Sequence, residues 1–108
     1  MLDKRKFYID GKWVSPSKPN DLEVINPSTE EAFATISLGS KEDTNSAVSA
    51  AKKALVNWSE SSKEDRINLL EKLLDIYKKR YSEMTEAISM EMGAPMDWSN
   101  DAQTSSGQ

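Results

Sequence analysis

Phe7-Tyr8-Ile9-Asp10-Gly11-Lys12-Trp13-Val14 reads as a β-hairpin: two short apolar, aromatic-rich runs flank Asp-Gly. A two-residue type I′ turn needs positive φ at both central positions, and Asp-Gly supplies it at low steric cost. Working outward, Ser15 to Asp21 carries Pro16, Pro19 and Asn20 and reads as an irregular loop. Leu22-Glu23-Val24-Ile25 is a short strand stopped by Asn26-Pro27, because proline has no ladder donor and biases the residue before it away from the helical region. Ser28-Thr29-Glu30-Glu31 is a turn, and Ala32 to Leu38 is a strand antiparallel to the first, ended by Gly39. Before the hairpin, Lys4-Arg5-Lys6 reads as a solvated terminus.

Beyond Gly39 the periodicity changes from two to between three and four. Ser40-Lys41-Glu42-Asp43 is a capping-box pattern with aspartate in the acidic position. Ala47, Val48, Ala51, Ala54, Leu55 and Trp58 then form one alanine-rich stripe. Ser61-Ser62-Lys63-Glu64-Asp65 caps a second helix. Ile67, Leu70, Leu73, Leu74, Tyr77, Tyr81, Met84, Ile88 and Met92 continue in helical spacing, with a bend expected near Tyr81. Gly93 is a helix stop, and Pro95 suits the first turn of a following helix. Residues 96–106 are weakly amphipathic, with Trp98 and Ala102 as expected anchors, and Gly107-Gln108 gives no clear stop. The expected architecture is α+β: two short antiparallel β pairs over residues 1–38, then a helical hairpin with extensions over 39–108.

Composition limits the chemistry. The 108 residues include no cysteine and no histidine. Disulfides, imidazole bases, Cys–His or Ser–His nucleophile pairs and zinc or copper sites are therefore excluded from these residues. Glycines at 11, 39, 93 and 107 cannot form a P-loop or a Gly-x-Gly-x-x-Gly turn. Only twenty residues are Leu, Ile, Val or Phe, while 30% are charged, so the core is thin and gains from packing on something else. A net charge of −4 argues against nucleic acid. No apolar run exceeds three residues and no secretory signal is visible, so no membrane partner and a cytoplasmic location are expected.

Taken in order, these words resemble the aldehyde dehydrogenase family. The opening hairpin Phe7–Val14 is similar to that family's first landmark. Val24-Ile25-Asn26-Pro27-Ser28-Thr29-Glu30-Glu31 resembles its Asn-Pro-x-Thr turn, and Lys41 to Trp58 its first helix. Arg66 with Leu69-Leu70 matches the start of the second helix, and Glu91-Met92-Gly93-Ala94-Pro95 a Glu-x-Gly-x-Pro segment. Two positions depart from the pattern. Glu30 stands where many members have glycine, which puts a positive-φ turn there in doubt, and Ala94 stands where many have lysine.

The resemblance implies an amino-terminal, incomplete part of the nucleotide-binding domain of the α/β aldehyde dehydrogenase fold. The complete enzyme would oxidise an aldehyde to a carboxylic acid with NAD or NADP through a cysteine thiohemiacetal, and would commonly be a homo-oligomer. Its catalytic and nucleotide-binding residues would lie outside this stretch, whose partner is the remainder of the enzyme chain. The resemblance also implies one site here: sodium or potassium held by the Glu91 side chain and the main-chain carbonyls of Val24 and Ile25. The alternative is a free-standing helical interaction module derived from the family, distinguished by the coding sequence after Gln108.

Overall fold

The computed structural model describes residues 1–107, the side chain of Gln103 aside; Gln108 lies outside the described residues. Five strands precede the helices: β1 (Leu2–Lys4), β2 (Phe7–Ile9), β3 (Lys12–Val14), β4 (Asp21–Asn26) and β5 (Glu31–Ser37). Then come α1 (Lys41–Ser59), α2 (Lys63–Lys79), α3 (Tyr81–Met92) and the single turn α4 (Met96–Trp98). A π-helical turn, Ser99–Gln103, and a 3-10 turn, Thr104–Gly107, complete the described chain. The α+β organisation is as expected. The chain divides into two compact units, one of residues 1–25 and 32–60, the other of residues 26–31 and 61–108.

In the first unit β2 and β3 pair antiparallel, with Tyr8 opposite Trp13. Asp10 (φ 53°) and Gly11 (φ 73°) supply the two positive φ values that the hairpin turn requires. The other sheet has the order β1-β5-β4. A four-residue connection between β4 and β5 admits only antiparallel pairing. β1 was not expected: Leu2, Asp3 and Lys4 pair in parallel with Ala34, Thr35 and Ile36. The segment read as a solvated terminus is therefore partly a strand. Arg5 fixes it, reaching Asp3 at 2.7 Å and Asp21 at 3.2 Å. The Arg5 hydrogen bonds hold the Asp3 carboxyl down at about 2.

α1 lies against β2, and its alanine face (Ala47, Ala50, Ala51, Ala54) lines one shallow groove with Tyr8, Ile9 and Gly11. Small side chains permit that approach. Its amino terminus is closed by the expected capping box, Ser40 with Asp43. Asp43 is buried, and its carboxylate also accepts the Ser17 N–H at 2.9 Å, so one side chain ties the proline loop to the helix start.

In the second unit α2 and α3 meet at Arg80, whose φ of −104° and ψ of 14° leave the helical region. Its N–H is still bonded to the carbonyls of Ile76 and Tyr77. This is the expected bend. The apolar seam is only partly covered: Leu74, Tyr77, Tyr81 and Ile88 are half-buried, whereas Leu70 is 63% and Leu73 60% exposed. Residues 96–107 depart most from expectation. Trp98 and Ala102 are exposed, and the buried residues are Ser99 and Thr104. A hydroxyl that bonds a helix carbonyl, as that of Thr104 does, can be buried at little penalty, which an apolar-periodicity reading overlooks.

The β4–β5 turn (Asn26 to Glu31) adopts the left-handed conformation without glycine. The Asn26 carbonyl accepts the N–H groups of Thr29 and Glu30, and Glu30 has φ 61°. An L-residue there costs roughly 1–2 kcal/mol, whereas glycine loses about 0.5–1 kcal/mol more backbone entropy on folding. In the full-length protein Glu30→Gly is therefore expected to stabilise by about 0.5–1 kcal/mol. A lower urea midpoint in the glycine variant would contradict the strain.

Candidate functional site

Without cysteine or histidine, any site here is built from carboxylates, hydroxyls, amines and backbone groups. Among the described residues no group of three acidic, histidine or cysteine side chains stands together. A cation site would thus depend on main-chain carbonyls.

The three expected cation ligands sit at two element ends. Val24, half-buried, and Ile25, exposed, are in the last half of β4. Glu91 is exposed in the last turn of α3 and has no ion pair among the described residues. Gly93 ends α3 at φ 72°, its N–H bonded to the Ser89 carbonyl at 2.9 Å. The Ser89 hydroxyl donates to the Ala94 carbonyl at 2.7 Å. A Cβ on Gly93 would come within 2.8 Å of Pro27 Cγ and 3.6 Å of Ser28 Oγ. Within the second unit, then, the turn that follows β4 abuts the end of α3, two residues from Glu91. The Asn26 side chain shapes that turn by accepting the Ser28 N–H at 2.9 Å.

Helix amino termini are the usual seats for phosphate, because their N–H groups point outward unpaired. Those of α1 and α2 are already occupied. Asp43 accepts from the Ser40 N–H, and Asp65 from the Ser62 N–H, while each serine accepts back. The backbone N–H groups of Ser40 and Ser17 hold the Asp43 carboxyl below the usual carboxylate range. A fixed negative charge therefore sits where a pyrophosphate would need to bind. Neither of these two helix starts offers a seat for phosphate.

Sequence reasoning missed one polar cluster, formed by Tyr77, Tyr81, Thr85, Ser99 and Thr104. Thr85 Oγ1 and Thr104 Oγ1 lie 2.9 Å apart, and both phenol hydroxyls donate to backbone carbonyls. The four-residue spacing of Tyr77, Tyr81 and Thr85 places them on one helical face, and that spacing was the available signal.

Comparison with known proteins agrees with this fold. Residues 13–106 match the model of the aldehyde dehydrogenase family. A 3-succinoylsemialdehyde-pyridine dehydrogenase from a Pseudomonas species is 46% identical over 96 residues, 89% of this chain and 20% of the relative. The crystal structure of an aldehyde dehydrogenase from Bartonella henselae superimposes with a TM-score of 0.97 at 57% identity, covering 99% of this chain and 22% of that one. Aldehyde dehydrogenase C from Pseudomonas syringae, solved as a mutant with NAD+ and octanal, gives 0.91 at 39% identity over 94% of this chain and 21% of its own. The chain spans about a fifth of the length of the relatives it matches. With the family model matched over residues 13–106 and the same backbone found in a solved aldehyde dehydrogenase, the chain belongs to the aldehyde dehydrogenase family.

Proposed function

We propose that this chain is the structural amino-terminal segment, an incomplete part of the nucleotide-binding domain, of an NAD(P)-dependent aldehyde dehydrogenase. The complete enzyme oxidises an aldehyde to a carboxylic acid through a cysteine thiohemiacetal, and none of its chemical steps runs on the residues present here. The observation that carries this reading is family membership across nearly all of a chain that has no thiol and spans a fifth of its relatives. The same reading brings homo-oligomeric assembly, a cytoplasmic location and, as partner, the remainder of the enzyme. Assayed with a panel of aliphatic and aromatic aldehydes, the full-length protein is expected to form NADH or NADPH. The mass-verified 108-residue chain is expected to form none. Turnover by the short chain would overturn the assignment of chemistry elsewhere; no turnover by the full-length protein would overturn the dehydrogenase itself.

A cation role for Glu91 belongs to the same reading. Sodium and potassium, as hard ions, take carboxylate and carbonyl oxygens. Two features favour the site: carbonyl dipoles converge at the end of α3, and Pro27 abuts Gly93 beside it. Glu91, with the carbonyls of Val24 and Ile25, would hold the ion and tie strand to helix, a structural task. At ten times Kd such binding stabilises by about 1.4 kcal/mol. The thermal midpoint of the full-length protein is thus expected to rise in sodium or potassium chloride above a choline chloride control, and Glu91→Gln to abolish the difference. An equal response from the glutamine variant would remove the site.

A further inference from the structure

After α4 the helix is one residue too wide. The N–H of Thr104 reaches back five positions to the Ser99 carbonyl, where an α-helix would send it four positions to Asn100. That diversion takes from the Asn100 carbonyl the donor an α-helix would give it. The Tyr81 hydroxyl stands in its place, donating to the Asn100 carbonyl at 2.6 Å. Four residues earlier on the same face, the Tyr77 hydroxyl donates to the Thr104 carbonyl at 2.7 Å. The two rings meet edge to face, 6.1 Å between centroids.

Inside, Thr104 and Ser99 are 0% exposed. The Thr104 hydroxyl donates to the Ser99 carbonyl at 2.8 Å and lies against Thr85 Oγ1, which reaches the Tyr81 carbonyl at 3.1 Å. Two hydroxyl protons thus serve three contacts, and one is shared. The Ser99 hydroxyl is buried with no hydrogen-bond partner among the described residues. A buried unpaired hydroxyl opposes this arrangement, and the tyrosine bonds favour it. In an α register the Thr104 side chain would turn by about 100° away from Thr85.

We propose that residues 99–104 form a register-shiftable helical turn whose π form is held by the hydroxyls of Tyr77 and Tyr81. Without that hold the turn relaxes to α, and Thr104 leaves Thr85. Because Tyr81 is also the first residue of α3, the α2–α3 bend and the direction of the chain beyond Thr104 are set together. Tyr77 and Tyr81 are positioning residues in this scheme and touch no substrate.

Hydrogen–deuterium exchange on the full-length protein tests it, read over peptides spanning residues 99–107. Tyr81→Phe and Tyr77→Phe each remove one hydroxyl and keep the ring, and each is expected to speed exchange there by roughly fivefold. A crystal structure of Tyr81→Phe is expected to place the Thr104 N–H on the Asn100 carbonyl. Ser99→Ala keeps both tyrosine bonds and removes the unpaired hydroxyl, so its exchange is expected to be unchanged or slower. Wild-type exchange in both phenylalanine variants would overturn the proposal, as would a Ser99→Ala protein that exchanges as fast as they do. Should Tyr81→Phe not fold, the same exchange comparison on Tyr77→Phe decides.

Discussion

Heated by itself, the 108-residue chain is expected to unfold over a broad range without a cooperative heat-absorption peak, and to bind an apolar dye strongly before it does. The one buried apolar residue among those described is Ala34, at 5% exposure. The other buried residues, Ser37, Asp43, Thr85, Ser99 and Thr104, are polar or charged. Twenty large apolar side chains are exposed among the described residues, with Leu69, Leu70, Leu73 and Ile76 grouped on α2. Burying one such side chain fully contributes about 1.5–3 kcal/mol. Leaving ten of them half in water forgoes about 10 kcal/mol, which is the whole stability of an ordinary domain. On the proposed reading, in which the remaining segments of a longer enzyme pack on these faces, the full-length protein should melt sharply. Scanning calorimetry with dye titration checks both. A sharp, calorimetrically two-state melt of the monomeric short chain would show that the core suffices.

Gly93→Ala should be the most damaging single methyl in the segment. Gly93 has φ 72°, where a Cβ costs roughly 1–2 kcal/mol. The added carbon would also sit 2.8 Å from Pro27 Cγ, and overpacking of that kind costs about 1–3 kcal/mol more. The expected loss in the full-length protein is about 2–5 kcal/mol, measured as a shift in denaturant midpoint at constant slope. Gly11 supplies the comparison. It has nearly the same φ, 73°, but nothing lies within 4 Å of its would-be Cβ. Gly11→Ala should therefore incur the conformational cost alone, about 1–2 kcal/mol. Placing Gly93→Ala on a Pro27→Ala background should recover the steric part. Equal losses at Gly11 and Gly93 would mean that Pro27 simply moves aside.

What the sequence disclosed was local. Asp10-Gly11, the capping box of α1, the N-cap of α2, the bend near Tyr81 and the stop at Gly93 depend on a few neighbouring residues, and each is where the sequence put it. β1 was hidden because Leu2-Asp3-Lys4 has no period of its own; it is a strand only through β5, some thirty residues away. The left-handed Glu30 was hidden because glutamate rarely adopts that conformation, and the hairpin closure imposes it. Thr104 was hidden because its burial is met by a hydroxyl bond to the Ser99 carbonyl, and Ser99 because its hydroxyl is buried without a partner among the described residues, which no polarity pattern marks. For the cation ligands, the spacing of Glu91 and Gly93 was visible, but the meeting of Pro27 with Gly93 came only with the fold.

The two reciprocal capping boxes have a consequence for synthesis. Each is closed by residues three positions apart, Ser40 with Asp43 and Ser62 with Asp65. Both helices can therefore nucleate as they leave the ribosome, ahead of any distant contact. Translation proceeds at about 5–20 residues per second, so in a protein of its relatives' length this segment waits on the order of half a minute for the rest. Through that interval α2 presents Leu69, Leu70, Leu73 and Ile76 as a formed, greasy helix face. Exposed apolar surface of that kind is prone to aggregate, and slowing elongation downstream would lengthen the exposure.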